Sequence, residues 1–335
     1  MAIEQSLQKS RLPEALAKRL RLPLIAAPML SVSGPDLVIA ACRSGAIGAF
    51  PVANARTVEG VKAWLQQISS TLDAMAETCP DQAPAPFCPN LIIKRPEMKA
   101  ELACLLHHRI EMVITSVGSP AEVISPLHDI GCLVFADVAT LRHAEKAIKA
   151  GVDGLILLTA GAGGQTGWMN PLAFVRAVRR LYDGPIVLAG GISDGHALWA
   201  AQALDCDLAY MGTKFIATHE SLADPAYKQM LVDAEMDDVM LTQAFTGLDT
   251  NMLRASIIAA GLDPASLPAR VSPEEAAKNF SSEALTPGPR RYKDIWSAGH
   301  SVSGVTRRQS VAELVAQTQQ EYEAARMQTF HRLPR

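Results

Sequence analysis

The chain has 335 residues, of which 49% are hydrophobic and 19% charged, with a formal net charge of −3. Such a chain can bury a large core, and its charge gives no electrostatic reason to expect nucleic acid or an anionic membrane as partner. Aromatic residues make up only 5%, so aliphatic side chains must carry the packing. Six cysteines (Cys42, Cys79, Cys88, Cys104, Cys132, Cys206) are scattered without metal-finger spacing. Most of them read as buried thiols in a reducing compartment. The first twenty residues lack the apolar stretch of a secretory signal, and no apolar run approaches the roughly 20 residues that span a bilayer. A soluble, cytoplasmic protein is expected.

In chain order the candidate strands are "LPLIAAPM" (22–29), "AIGAFP" (46–51), "FCPNLII" (87–93), "MVITSV" (112–117), "CLVFADV" (132–138), "GLILLTA" (154–160), "PIVLAGG" (185–191) and "LAYMGTKFI" (208–216). Each is nearly continuous in apolar character, which suits a strand covered on both faces. Helical patterns lie between them. Asn170–Pro171 and Ser193–Asp194 supply N-caps, and Gly151 and Gly184 follow helix ends. Eight strands with helical connections predict an α/β fold, a (β/α)8 TIM barrel, over an open doubly wound sheet, although sequence does not show closure. Residues 221–285 read as helices forming a subdomain near the barrel mouth. The turn-rich "TPGPRR" opens segment 286–335, whose final helix is expected to return to the barrel.

Active sites of this fold lie at the C-terminal ends of the strands. The first strand ends in Ala27–Pro28–Met29, the sixth in "TAGAGGQTG" (159–167), the seventh in Gly190–Gly191 and the eighth in Met211–Gly212–Thr213. Glycines let backbone N–H groups approach and cradle a phosphate. Tight βα turns are the plain alternative, but three glycine-bearing strand ends in succession favour a phosphate site.

The segments "LPLIAAPM", "AGVDGLILLTAGAGGQTG", the run 185–221 and "WSAGHSVSGV" resemble the nitronate monooxygenase (2-nitropropane dioxygenase) family over most of residues 20–325. The resemblance implies an FMN-dependent barrel oxidoreductase with a helical insertion after the eighth strand, so that 1–220 is the FMN-binding barrel. It further implies that Ala27, Pro28, Met29 and Asn90 approach the flavin, with Thr159 standing where many members carry a flavin-contacting glutamine. Gly164, Gly190, Gly191, Gly212 and Thr213 match the phosphate-binding positions, and Gly163 and Met211 are expected to contact the cofactor beside them.

One departure stands out. Gln165 occupies the place of the family's catalytic histidine, and glutamine has no proton affinity near neutral pH. It can still donate a hydrogen bond to developing negative charge. His300 stands where the family often has glutamine, so a compensating exchange of roles is one reading and chance is the other. Asp137 ends the fifth strand, where it could meet substrate or cap the next helix. Lys214 lies near the phosphate or pairs with a carboxylate. Arg254 faces the cleft or solvent, and Trp168 with Met169 could wall the substrate. The remaining histidines read as surface residues, and no metal site is expected.

Three functions follow. The first is oxidation of a small nitronate, or another small electron donor, by O2. The second is an NAD(P)H-dependent reductase of a quinone or enoyl substrate, which would bind its nucleotide without a Rossmann fingerprint. The third is a flavin-binding barrel without catalysis. Homo-oligomerisation stays open.

Overall fold

A computed structural model describes residues 11–79, 82–280 and 288–332. The first ten residues, part of the Pro/Ala loop before the third strand, and the expected boundary between subdomain and C-terminal segment at 281–287 lie outside the described residues. The elements begin α1 (Glu14–Ala17), β1 (Leu24–Ala26), α2 (Pro35–Arg43), β2 (Ile47–Pro51), α3 (Val58–Thr78), β3 (Phe87–Ile92), α4 (Met98–His107) and β4 (Met112–Ser116). They continue α5 (Ala121–His128), β5 (Leu133–Val138), α6 (Leu141–Ala150), β6 (Gly154–Leu158), β7 (Gly164–Gln165), α7 (Pro171–Arg179), β8 (Ile186–Ala189), α8 (Gly195–Ala203), β9 (Leu208–Met211) and α9 (Thr213–Ile216). Last come α10 (Pro225–Asp233), β10 (Val239–Thr242), β11 (Thr250–Leu253), α11 (Arg254–Ala259), α12 (Pro273–Phe280) and α13 (Val311–Arg332).

Eight parallel strands run in the order β1-β2-β3-β4-β5-β6-β8-β9, and β9 pairs back onto β1 through Leu24–Ala209, Ile25–Tyr210 and Ala26–Met211. The fold is a closed (β/α)8 barrel, and the open sheet is excluded. Strand alternation sorts the side chains into two cores. Ile25, Ile47, Cys88, Ile114, Phe135, Ile156, Val187 and Leu208 fill the interior, with Leu12 and Leu16 packed in the same cluster. Leu24, Ala26, Leu91, Val113, Val134, Ala136, Leu155, Leu157 and Leu188 pack outward against the helices. Both faces are buried, so each strand reads as a continuous apolar run.

The local signals act as their chemistry requires. Asn170 accepts from the Leu172 and Ala173 amides ahead of Pro171, Asp194 accepts from the Ala197 amide, and Gly151 ends α6 in the left-handed region. The eighth expected strand is shorter than its apolar run. Its ladder ends where the Ala27 amide donates to the Met211 carbonyl. The next amide on that edge, Met29, donates instead to the Ser33 hydroxyl at 3.0 Å. Thr213–Ile216 therefore turns into the short helix α9, whose side chains stay buried.

Residues 221–285 are not all helical. β10 and β11 pair antiparallel, and β11 pairs with β7 through Thr250–Gln165 and Asn251–Gly164. Thr250–Leu253 is strand and helix begins only at Arg254, because these residues find a partner some ninety positions away. The last helix, α13, packs on α8 and α2. At the opposite end of the barrel, Arg179 donates to the Tyr182, Gly184 and Asp205 carbonyls and to Asp207. The Asp207 carboxylate also accepts from the Ile186 amide, tying β8 to β9. No helix of the described residues is long and apolar enough to cross a membrane.

The α8–α13 contact is close enough to constrain one residue. A methyl group on buried Gly195 would run into the Tyr322 amide nitrogen and the Thr318 carbonyl of α13. Gly195→Ala should cost about 1–3 kcal/mol through forced separation of the helices. Urea denaturation would read this as a lowered midpoint with an unchanged slope.

Candidate active site

At the C-terminal ends of the strands lies a cavity of about 420 Å³. Its floor follows from the period-2 alternation of the strands. Two residues beyond each interior side chain on β3, β4, β5, β6 and β9 come Asn90, Ser116, Asp137, Leu158 and Tyr210, and all five line the cavity. Ala27 and Pro51 occupy the same level on β1 and β2. An apolar barrel interior thus gives way to a mostly polar top layer. Apolar side chains from Leu30, Val32, Ile92, Val117, Ile216 and Leu248 form the walls.

Most of the expected site residues meet here. Ala27, Pro28, Met29, Asn90, Gly163, Gly164, Gln165, Gly190, Gly212 and Thr213 line the cavity. Thr159, Gly191, Met211 and His300 are outside its lining. Thr159 has the wrong strand parity. It is fully buried, its hydroxyl donates to the Ala189 carbonyl at 2.7 Å, and Leu158 takes the cavity-facing place. Met211 is buried in the outer core. Gly191 follows Gly190 at the β8 end, exposed and with open space beside it. Gly190 is held at φ 119, and a Cβ there would lie 2.5 Å from the Thr159 hydroxyl oxygen. Only glycine fits that approach.

The loop after β6 is clamped by the insertion. Gln165 sits on β7 opposite Thr250 of β11, and the Asn251 carboxamide donates to the Ala162 carbonyl at 2.8 Å. The Gly299 amide donates to the Thr213 hydroxyl, and the Tyr227 hydroxyl donates to the Ser297 carbonyl. Arg291 and Tyr292 line the mouth with Thr246, and the Arg291 guanidinium donates to the Phe245 carbonyl. Apart from Ser297 and Gly299 in "WSAGHSVSGV", these residues carried no motif in the sequence, because pairing across distant segments brings them to the cavity.

His300 lies behind this loop. Its amide donates to the Gly161 carbonyl at 2.9 Å and its imidazole packs against Gly161. Lys214 is buried beside Glu321 and Asp194, and burial pulls its ammonium below the usual range against their attraction. Arg254 is exposed outside the cavity lining, and so is Trp168 at 72% exposure, while Met169 packs on the outer core. Neither of the last two walls the cavity. Cys79 is exposed, whereas the other five thiols are buried.

Asp137 does not cap α6, since Thr140 accepts the His143 amide there. Its carboxyl is screened from bulk solvent, its open side facing the cavity, and burial pushes it up to about 7. Burial likewise holds the Tyr210 phenol well above its usual range, with Asp137 adding to the effect.

A family model described as nitronate monooxygenase matches residues 14–321. A nitronate monooxygenase from Paraburkholderia phytofirmans is 27% identical over 338 residues, spanning 89% of this chain and 92% of that protein. Among solved structures, FabK from Thermotoga maritima matches with a TM-score of 0.76 at 22% identity, over 94% of this chain and 97% of its own. A nitroalkane oxidase from Streptomyces ansochromogenes matches with a TM-score of 0.75 at 25% identity, over 94% and 99%.

The Asn251–Ala162 bond makes a testable demand on the glycine loop. Asn251→Ala leaves the buried Ala162 carbonyl without its partner, at a cost of about 1–3 kcal/mol. Backbone amides of residues 163–166 should exchange with solvent about tenfold faster or more, as hydrogen-exchange mass spectrometry would read.

Proposed function

The chain belongs to the nitronate monooxygenase family, and from that premise we propose an FMN-dependent oxidation of alkyl nitronates by O2. It is an oxidoreductase of that family; the cofactor, the substrate and the residue roles are the proposal. One observation carries the reading. The Ala27–Pro28–Met29 turn, Asn90 and the glycine-bearing ends of β6, β8 and β9 converge on one cavity.

The residues fit the cofactor. Gly190, Gly191, Gly212 and Thr213 would hold the phosphate, where glycines leave the backbone approachable. Pro28, Met29 and Asn90 would line the ring, and the unpartnered carboxyl of Asp137 on the floor is a polar group in want of a ligand. When bound, FMN supplies the redox chemistry, and the protein supplies position and electrostatics.

Gln165 faces the cavity from the clamped loop. Its carboxamide N–H would donate to a nitro oxygen, and it cannot take a proton from carbon. The reading therefore assigns the already deprotonated nitronate as substrate. Arg291 at the mouth adds a positive charge on the path of that anion. The apolar walls keep bulk water from the reacting atoms. His300 would support the loop from behind instead of exchanging roles with Gln165. A cytoplasmic setting suits six unpaired cysteines.

Purified protein should show the visible absorption of an oxidised flavin. Anaerobic propyl-2-nitronate should bleach it and O2 restore it, while NADH and NADPH leave it unchanged. Bleaching by a pyridine nucleotide alone would favour a reductase instead, and no bleaching by any donor would favour a non-catalytic flavoprotein. Gln165→Ala should lower kcat/KM for the nitronate about 10²-fold, with flavin content unchanged.

A further inference from the structure

Asp137 is the one acid among the described residues lining the cavity, and it is anomalous. The Oδ1 atom is shut from solvent without a hydrogen-bond partner. No cation faces it on the floor. Its neighbours there are the Tyr210 phenol from β9, the Cys88 thiol from β3, both held neutral by burial, with Asn90, Ser116 and Leu158 from β3, β4 and β6. Arg291, the cavity's cation, comes from the segment at the mouth. A buried carboxylate facing only neutral groups is costly, and the neutral acid is the form that such a site holds.

The rest of the floor is arranged around that acid. The Ser116 hydroxyl donates to Asn90 Oδ1 at 3.1 Å, which leaves the Asn90 amino group to donate elsewhere. The Tyr210 hydroxyl has no protein partner among the described residues and faces the same space. The carboxyl oxygen open to the cavity offers an O–H donor when the acid is neutral. Beside it stand two further donors. The complementary ligand is a planar ring edge that carries carbonyl acceptors.

We propose that Asp137 is a cofactor-recognition residue that, as a neutral carboxylic acid, donates its O–H to a C=O of the flavin's pyrimidine-dione edge. This rests on the FMN reading above and makes retention of the flavin proton-linked. The sign follows from which form binds. The protonated acid binds, so affinity is full below the carboxyl's own titration at about 7 and falls as pH rises through it.

The test is the dissociation constant of the full chain for lumiflavin and for FMN, measured by ultrafiltration from pH 6 to 9. Lumiflavin lacks the phosphate, whose second ionisation near about 6 would otherwise contribute. Wild-type affinity for both ligands should weaken about tenfold per pH unit above about 7, the slope of one linked proton. Asp137→Asn keeps a donor and an acceptor without titrating, so its affinity should be flat with pH. Asp137→Leu should bind about tenfold more weakly or worse at pH 6, also without slope. Wild-type protein that binds flavin with pH-independent affinity, or an Asp137→Asn variant that keeps the slope, overturns this assignment alone. A wild-type chain that binds no flavin overturns both it and the FMN reading.

Discussion

Everything at the site depends on closure of the strand ladder. When β9 pairs with β1, the eight strands share one register, and each side chain is assigned to the barrel interior or to the helix layer. The interior side chains then form levels. The lower level is apolar, and the level above it, at the C-terminal strand ends, carries Asn90, Ser116, Asp137 and Tyr210. A one-residue slip at any strand would turn its member of that level into the helix layer. At the other end, the buried Arg179–Asp207 pair, bonded to several backbone groups, ties β8 to β9. One end of the barrel is built for stability and the other holds the chemistry.

The insertion completes the site by pairing with the barrel's own loop. β7 is only two residues long and would not persist alone. Its hydrogen bonds to β11, with the Asn251–Ala162 and Gly299–Thr213 contacts, hold the β6 and β9 ends against the segment that covers them. This places Gln165 on a fixed strand instead of a free loop. A hydrogen-bond donor held in this way need not reorganise when charge develops beside it.

The charges of the cavity are few and well separated in role. Asp137 lies on the floor, where burial favours its neutral form, and Arg291 lies at the mouth. Below the titration of Asp137 at about 7, an anion entering past Arg291 would meet neutral donors and apolar walls and no carboxylate charge among the described residues. This polarity suits the nitronate substrate and the Gln165 role proposed above.

The sequence by itself determined the architecture and the chemistry of the strand ends. Eight doubly covered strands, their helix caps and the glycines at 163–164, 190–191 and 212 were legible because they are local: apolar runs, cap residues and backbone freedom are written within a few positions. Asp137 was visible as a strand-end acid, and strict counting by two from Phe135 on β5 and from Ile156 on β6 would have put Asp137 on the floor and Thr159 off it. Other features needed the tertiary structure. The apolar run 208–216 could not show where strand becomes helix, because the partnering with β1 ends in space where the Met29 amide turns to Ser33. The strand at Thr250–Leu253 exists only because distant β7 and β10 flank it, and the same pairing brings Gln165, Arg291 and Tyr292 to one mouth while leaving His300 behind the loop. Burial decided the rest: a carboxyl's charge depends on what surrounds it, and its surroundings come from strands far apart in the chain.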